Sequence, residues 1–171
     1  MQTIEERGWQ RGIEPYSTHQ QALAWAAVQA GPGDVLEIGA GWWSTPWLHG
    51  FCEASERFML SVERDTSWLL GIAPLYANPW HGFVSEISYE TLSDMNLALT
   101  LVDGGDPDRA TYVRAVRNNC RYVVCHDTEP ESMIHYPDMA EALADWPNRR
   151  DFIRPSSISF QEWPSTTVVW Q

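Results

Sequence analysis

Short apolar runs alternate with amphipathic stretches from about Thr18 to the end of the chain. Val35-Leu36 with Ile38, Phe58 to Val62, Leu97 to Val102 and Tyr122 to Cys125 are compact runs of the kind that form strands buried on both faces. Phe83 to Ile87 alternates instead and predicts a strand at a sheet edge. Helical spacing falls between these runs. It covers roughly Thr18 to Ala30, with Leu23, Ala26, Ala27 and Ala30 on one side, then Pro46 to about Ser55 and about Ser67 to Tyr76. It returns from Arg109 to Asn119, with Tyr112, Val113 and Val116 toward the sheet, and from Asp138 to Trp146. Tyr89 to Asn96 leaves room for only a turn or two of helix. Phe152 to Phe160, broken by Pro155, and Thr166 to Trp170 predict a sixth and a seventh strand, close enough in sequence to pair as a hairpin. Residues 1–17 are polar and punctuated by Gly8, Gly12 and Pro15, so they form an arm or short helix ahead of one domain over 18–171.

Strand alternating with helix, followed by a terminal β-pair, predicts an α/β fold. The expected architecture is a doubly wound, mostly parallel seven-stranded sheet with helices on both faces and a C-terminal antiparallel pair. Ligands of such sheets bind beyond the carboxyl ends of the strands, where strand order reverses. The polar residues that end the predicted strands all fall there: Gly39 and Gly41, Glu63, Asp103 and Asp127. That agreement carries more weight than any one motif.

The most informative stretch is Asp34 to Pro46, reading Asp-Val-Leu-Glu-Ile-Gly-Ala-Gly-Trp-Trp-Ser-Thr-Pro. Gly39 and Gly41 permit a tight turn with close backbone approach to a ligand. Thr45 and Pro46 read as an N-cap followed by proline at the first helical position. A helix start beside a glycine turn offers free amides to a ligand's polar groups. Glu63 lies about twenty residues further on, where an acidic side chain binds ribose hydroxyls. The alternative is a solvated carboxylate paired with Arg64. The same spacing suits a nicotinamide cofactor, but the third glycine of the dinucleotide fingerprint is missing and Trp43 obstructs a diphosphate.

The net charge of −12 argues against a nucleic-acid backbone as the partner. All eleven basic residues are arginine, so neither a lysine base nor a phosphate-binding lysine is available. Cys52, Cys120 and Cys125 are odd in number and lack metal-site spacing, which fits a reducing, cytoplasmic setting. The charged N-terminus carries no apolar signal segment, and no apolar stretch approaches the length of about eighteen residues that a membrane span needs. Ten tryptophans supply core and, by expectation, some of the wall of a pocket.

Glu37-Ile-Gly39-Ala-Gly41, Glu63 after the second strand, Asp103 after the fourth and the terminal β-hairpin together resemble class I S-adenosylmethionine-dependent methyltransferases, which are Rossmann-like. The resemblance covers nearly the whole chain from about Thr18. Three marks resemble a bacterial subgroup of that family: Ser44-Thr45-Pro46, the Tyr-Val-Val-x-His-Asp-Thr-Glu element from Tyr122 to Glu129, and Pro-x-Thr-Thr-Val-Val from Pro164 to Val169. The His-Asp-Thr element is also similar to metal-dependent small-molecule O-methyltransferases of the catechol and cephalosporin-hydroxylase kind.

The resemblance implies a set of cofactor contacts. Gly39 and Gly41, with Glu37, Ser44 and Thr45 around them, would lie at the methionine part of S-adenosylmethionine. Glu63 would hold the ribose, Ser88 and Tyr89 would border the adenine, and Asp103 would lie at the cofactor's amino group. Trp43 stands where many members have a third glycine. Asp103 and Asp127 could together hold Mg²⁺ through oxygen ligands, with Thr128 or Glu129 nearby, and so acidify an acceptor hydroxyl. The alternative leaves Asp103 on the cofactor and Asp127 as a loop cap. With no lysine present, His126 is the natural general base, or else a hydrogen-bonded structural residue. His135 and Tyr136 sit where substrate-selecting loops fall. Asp106-Pro-Asp108-Arg109 reads only as a helix start.

The expected function is methyl transfer to a small polar acceptor, a sugar, glycan precursor or hydroxylated metabolite, at oxygen. The amino-methylating Asn/Asp-Pro-Pro-Tyr/Phe element of DNA enzymes is absent. The alternative is a methyltransferase-like module that binds the cofactor or a protein partner without catalysis.

Overall fold

The computed structural model describes residues 19–104, 108–128, 136, 138–152 and 165–171. The elements are α1 (Gln20–Gln29), β1 (Asp34–Ile38), α2 (Thr45–Ala54), β2 (Met59–Val62), α3 (Thr66–Tyr76), β3 (His81–Val84) and α4 (Tyr89–Asp94). They continue with β4 (Leu97–Val102), α5 (Arg109–Ala115), β5 (Cys120–His126), α6 (Met139–Ala144), β6 (Asn148–Phe152) and β7 (Thr166–Trp170). The expected N-terminal arm, residues 1–17, lies outside the described residues.

The strands form one seven-stranded sheet in the order β3-β2-β1-β4-β5-β7-β6. The first five are parallel, while β7 runs antiparallel between β5 and β6. Strand order reverses between β1 and β4, and this places Gly39 and Asp103 side by side at the carboxyl edge. All six residues of β4 are buried, as a central parallel strand covered on both faces requires. On one face Ala22, Leu23, Ala26 and Ala27 of α1 pack with Leu48 and Cys52 of α2. On the other, Leu92 of α4, Tyr112 and Val113 of α5 and Leu143 of α6 form the second core layer. Trp25 of α1 extends the first layer over Tyr122, Phe152 and Trp170, with ring centroids 5.5–6.0 Å away. No helix among the described residues is long and apolar enough to cross a membrane.

Two strand expectations require correction. The sixth strand is Asn148–Phe152 rather than Phe152 to Phe160, of which residues 153–160 lie outside the described ones. Its residues are mostly exposed and polar because it is an edge strand held by backbone pairing to β7, so it has no apolar run to read. The third strand runs from His81 to Val84, two residues earlier than its alternation suggested, because Met59↔His81 sets its register on β2. The chain therefore leaves the sheet before Ser88.

Candidate active site

The strand ends are stitched together at the reversal point. Gly39 N donates to Val62 O at 2.8 Å, and Asp103 N donates to Ile38 O at 2.8 Å. Gly39 adopts φ +88°, and a Cβ there would lie 2.4 Å from the Cα of Gly104. Both the dihedral and the contact exclude a side chain.

Beneath this turn Glu37 is fully buried. It accepts hydrogen bonds from Thr45 Oγ1 at 2.8 Å and Ser61 Oγ at 2.5 Å. Thr45 Oγ1 in turn accepts from Gly41 N at 2.9 Å, so the carboxylate fixes the glycine turn through one hydroxyl. Thr45 is thus not the N-cap. Ser44 occupies that position without a side-chain cap bond, and Pro46 is the second helical residue. The hydroxyl of Thr45 points inward because a buried carboxylate without donors is costlier than an uncapped helix end. Burial pushes the pKa of Glu37 up to about 7, against the pull of the Ser44, Ser61 and Thr45 hydroxyls.

The polar chain continues: Ser61 Oγ lies 2.9 Å from His81 Nε2, and His81 Nδ1 lies 3.1 Å from His49 Nδ1. Ser61 gives its one proton to Glu37, so His81 donates through Nε2 and its Nδ1 accepts from His49. Burial, then the neighbouring His49, lowers the pKa of His81 to about 4 and keeps it neutral, as this arrangement needs.

Above the turn lies a cleft of about 260 Å³, lined by Gly39, Ala40, Gly41, Glu63, Asp65, Trp68, Asp103 and Gly104. Glu63 accepts from Ala40 N at 3.1 Å and Asp65 N at 2.8 Å, while Arg64 turns away toward Asp108, at 3.7 Å. Partial burial raises the pKa of Glu63 despite those two amide donors. Trp68 Nε1 donates to Ala40 O at 2.6 Å, and Trp42 packs edge-on against Trp68 with centroids 6.0 Å apart. Trp43 is held elsewhere, its carbonyl accepting from Gln20 Nε2.

Of the expected cofactor residues, Gly39, Gly41, Glu63 and Asp103 line the cleft, whereas Glu37, Ser44 and Thr45 are buried and do not. Ser88 caps α4 by accepting from Thr91 N, and Tyr89 packs edge-on against Tyr112 with centroids 5.6 Å apart. Neither lines the cleft, because β3 ends too early to carry them there. Ala40, Asp65, Trp68 and Gly104 were missed. For Asp65 the signal was present: a Ser/Thr/Asp-rich helix start right after Glu63.

At the other end of the cleft Asp103 meets a cluster. His126 Nδ1 donates to Asp103 Oδ1 at 2.8 Å, and His19 Nδ1 stands 3.5 Å from Asp103 Oδ2. Arg109, only 2% exposed, donates to Gly104 O at 2.5 Å, His126 O at 2.9 Å and Asp127 Oδ2 at 3.1 Å, with Tyr136 stacked 3.9 Å from its guanidinium. Burial opposes charge on Asp103, but the hydrogen bond from His126 and the charges of His126, His19 and Arg109 win and lower its pKa. Burial likewise opposes charge on His126, but Asp103 and then Asp127 outweigh it and raise its pKa. His19, with far less compensation, is lowered to about 4 by burial.

The expected magnesium site on Asp103 and Asp127 does not fit this arrangement. Asp103 faces two imidazoles and Asp127 is paired with a guanidinium, where magnesium takes oxygen donors and retained water. Glu129 and His135 lie outside the described residues. S-adenosylmethionine is a different case. The cleft presents three carboxylates and, among its lining residues, no basic side chain. That lining suits a sulfonium and an ammonium and repels a diphosphate.

No protein-family model and no curated protein sequence matches the chain. Solved structures do match its fold. The O-methyltransferase from Bacillus cereus in complex with S-adenosylhomocysteine aligns with a TM-score of 0.64 at 13% identity, over 95% of this chain and 84% of that one. A SAM-dependent methyltransferase from Archaeoglobus fulgidus gives 0.57 at 10% identity, over 92% and 95%. WbdD gives 0.53 at 11% identity, and there the match spans 91% of this chain but 38% of that one. The fold is that of class I S-adenosylmethionine-dependent methyltransferases.

Proposed function

We propose that this chain transfers a methyl group from S-adenosylmethionine to an oxygen of a small hydroxylated acceptor. The observation that carries the reading is the joining of a carboxylate-lined cleft to a His126–Asp103 pair through one shared residue, Asp103. S-adenosylmethionine supplies an activated methyl group whose C–S bonding pair leaves with sulfur as a neutral thioether. Gly39 and Gly41 let the turn approach it closely, and Glu63 serves the ribose hydroxyls. Asp103 orients His126 by accepting its Nδ1–H, and the imidazole takes the acceptor's hydroxyl proton as the new O–C bond forms. Alignment of the two reactants does most of the remaining work. A net charge of −12 favours a small metabolite over nucleic acid as acceptor.

Calorimetric titration with S-adenosylhomocysteine, with NAD as control, tests the cofactor. Micromolar binding that is lost in Glu63→Ala supports the reading, and NAD binding in its place refutes it. Turnover on a panel of hydroxylated acceptors then tests catalysis. Cofactor binding without turnover on any acceptor would mark a binding module instead.

A further inference from the structure

We propose that His19, Asp103 and His126 form a binding site for a divalent transition metal of the zinc class. One ligand atom from each lies within 4.8 Å of the other two. His19 precedes α1, and its ring meets that of His126 edge to face with centroids 4.9 Å apart. The decisive feature is His19 itself. It is 1% exposed, and neither of its ring nitrogens makes a hydrogen bond among the described residues. An imidazole buried without a hydrogen bond is expensive, and its two ring nitrogens lie beside a carboxylate and a second imidazole.

The spacing is close to what such an ion needs. Metal–ligand bonds of about 2.0–2.1 Å in a tetrahedron set ligand atoms about 3.3 Å apart. The separations from Asp103 are 2.8 Å to His126 and 3.5 Å to His19, on either side of that figure. Small rotations of three side chains would therefore complete the set. Two imidazoles with one carboxylate, and a position left for water or substrate, select zinc, cobalt, nickel or ferrous iron over magnesium. Arg109 is already committed to Asp127 and two carbonyls, and it approaches Asp103 no closer than 3.8 Å. Asp127 gives Oδ2 to that arginine and holds Oδ1 3.5 Å from His126 Nδ1, outside the three-residue set.

In the metal-free protein a proton joins His126 to Asp103, and the pair acts as the base proposed above. With an ion bound, His19, Asp103 and His126 would hold it, the Nδ1 proton would pass to solvent, and the ion's open position would supply Lewis acidity to an acceptor hydroxyl. Metal binding itself does not depend on methyl transfer and is read with metal alone.

The test uses the untagged full chain, stripped with a chelator and titrated with Co²⁺, then with Zn²⁺ as competitor. The expected result is one Co²⁺ per chain, with the ligand-field bands of a four- or five-coordinate site that Zn²⁺ removes. Affinity should fall about 100-fold or more in His19→Ala and in His126→Ala and stay within a few fold in Asp127→Asn. Co²⁺-shifted ring protons from two histidines in the unmodified protein give a readout that requires no variant to fold. Absence of stoichiometric Co²⁺ binding would overturn the proposal. So would binding that survives His19→Ala but fails in Asp127→Asn and is displaced by Mg²⁺. Failure of S-adenosylhomocysteine to bind, with Co²⁺ binding intact, would overturn the methyl-transfer reading and leave this one standing.

Discussion

Gly39 and Gly104 meet backbone to backbone, and the contact is asymmetric. A Cβ on Gly39 would overlap Gly104 at 2.4 Å, whereas a Cβ on Gly104 finds its nearest neighbour, Gly39 Cα, at 3.5 Å. Gly39→Ala combines overlap with a strained φ and should destabilise the fold by about 2–5 kcal/mol, with loss of cofactor affinity. Gly104→Ala should lose less than about 1 kcal/mol. Urea unfolding of the two variants side by side checks this, and equal losses would refute the asymmetry.

The pairing of His126 with Asp103 predicts the pH dependence of the reaction. The raised pKa of His126 means that its basic form appears only above the ordinary histidine value of 6.5. In metal-free protein kcat/KM should therefore rise with pH through an inflection above 6.5. Asp103→Asn removes the charge that holds the proton and should shift the inflection downward. His126→Ala should reduce kcat by about 100-fold or more. An inflection that does not move in Asp103→Asn would show that another group titrates.

Glu37 predicts a pH dependence of stability with the opposite chemical sense from a surface carboxylate. Its folded pKa of about 7 lies above the ordinary 4.5, so its contribution is fully present below 4.5 and is lost as pH rises through 7. The difference corresponds to about 3 kcal/mol. Glu37→Gln should flatten that slope and be the more stable protein at pH 8. Urea titrations at pH 5 and pH 8 for both proteins measure it, and parallel slopes would refute it.

Arg109 joins the ends of β4 and β5 by its bonds to Gly104 O, His126 O and Asp127. Arg109→Met keeps the bulk but leaves two carbonyls and a carboxylate without their donor. It should cost about 3 kcal/mol or more, and Arg109→Lys should recover only part of that. Thermal unfolding of the pair gives the answer; full recovery in the lysine variant would mean that charge alone matters.

What could be read from the sequence was whatever local pattern dictates. Leu97–Val102 and Thr166–Trp170 have the predicted bounds because their apolar runs coincide with strands inside the sheet. Gly39, Gly41, Glu63 and Asp103 reached the cleft because each ends, or directly follows, such a run. Asn148–Phe152 stayed hidden, since an edge strand needs only backbone partners. Thr45 was legible as a helix-start residue, but its partner Glu37 is defined only once β1 is buried. His19 and Arg109 carried no local signal. One comes from the start of α1 and the other from α5, and only the folded sheet brings both to Asp103.

The run of side chains from Glu37 through Ser61 and His81 to His49 has a further consequence for timing. The glycine turn closes Glu37 off from the cleft, but His49 at the far end is only partly buried. That line of hydrogen bonds is a route by which protons would reach the carboxylate from behind, without the core opening and without the ligand leaving. The turn would then respond to acidity as readily when the cleft is full as when it is empty. A ligand would slow hydrogen exchange of the backbone amides around the turn while leaving the proton equilibrium of Glu37 accessible.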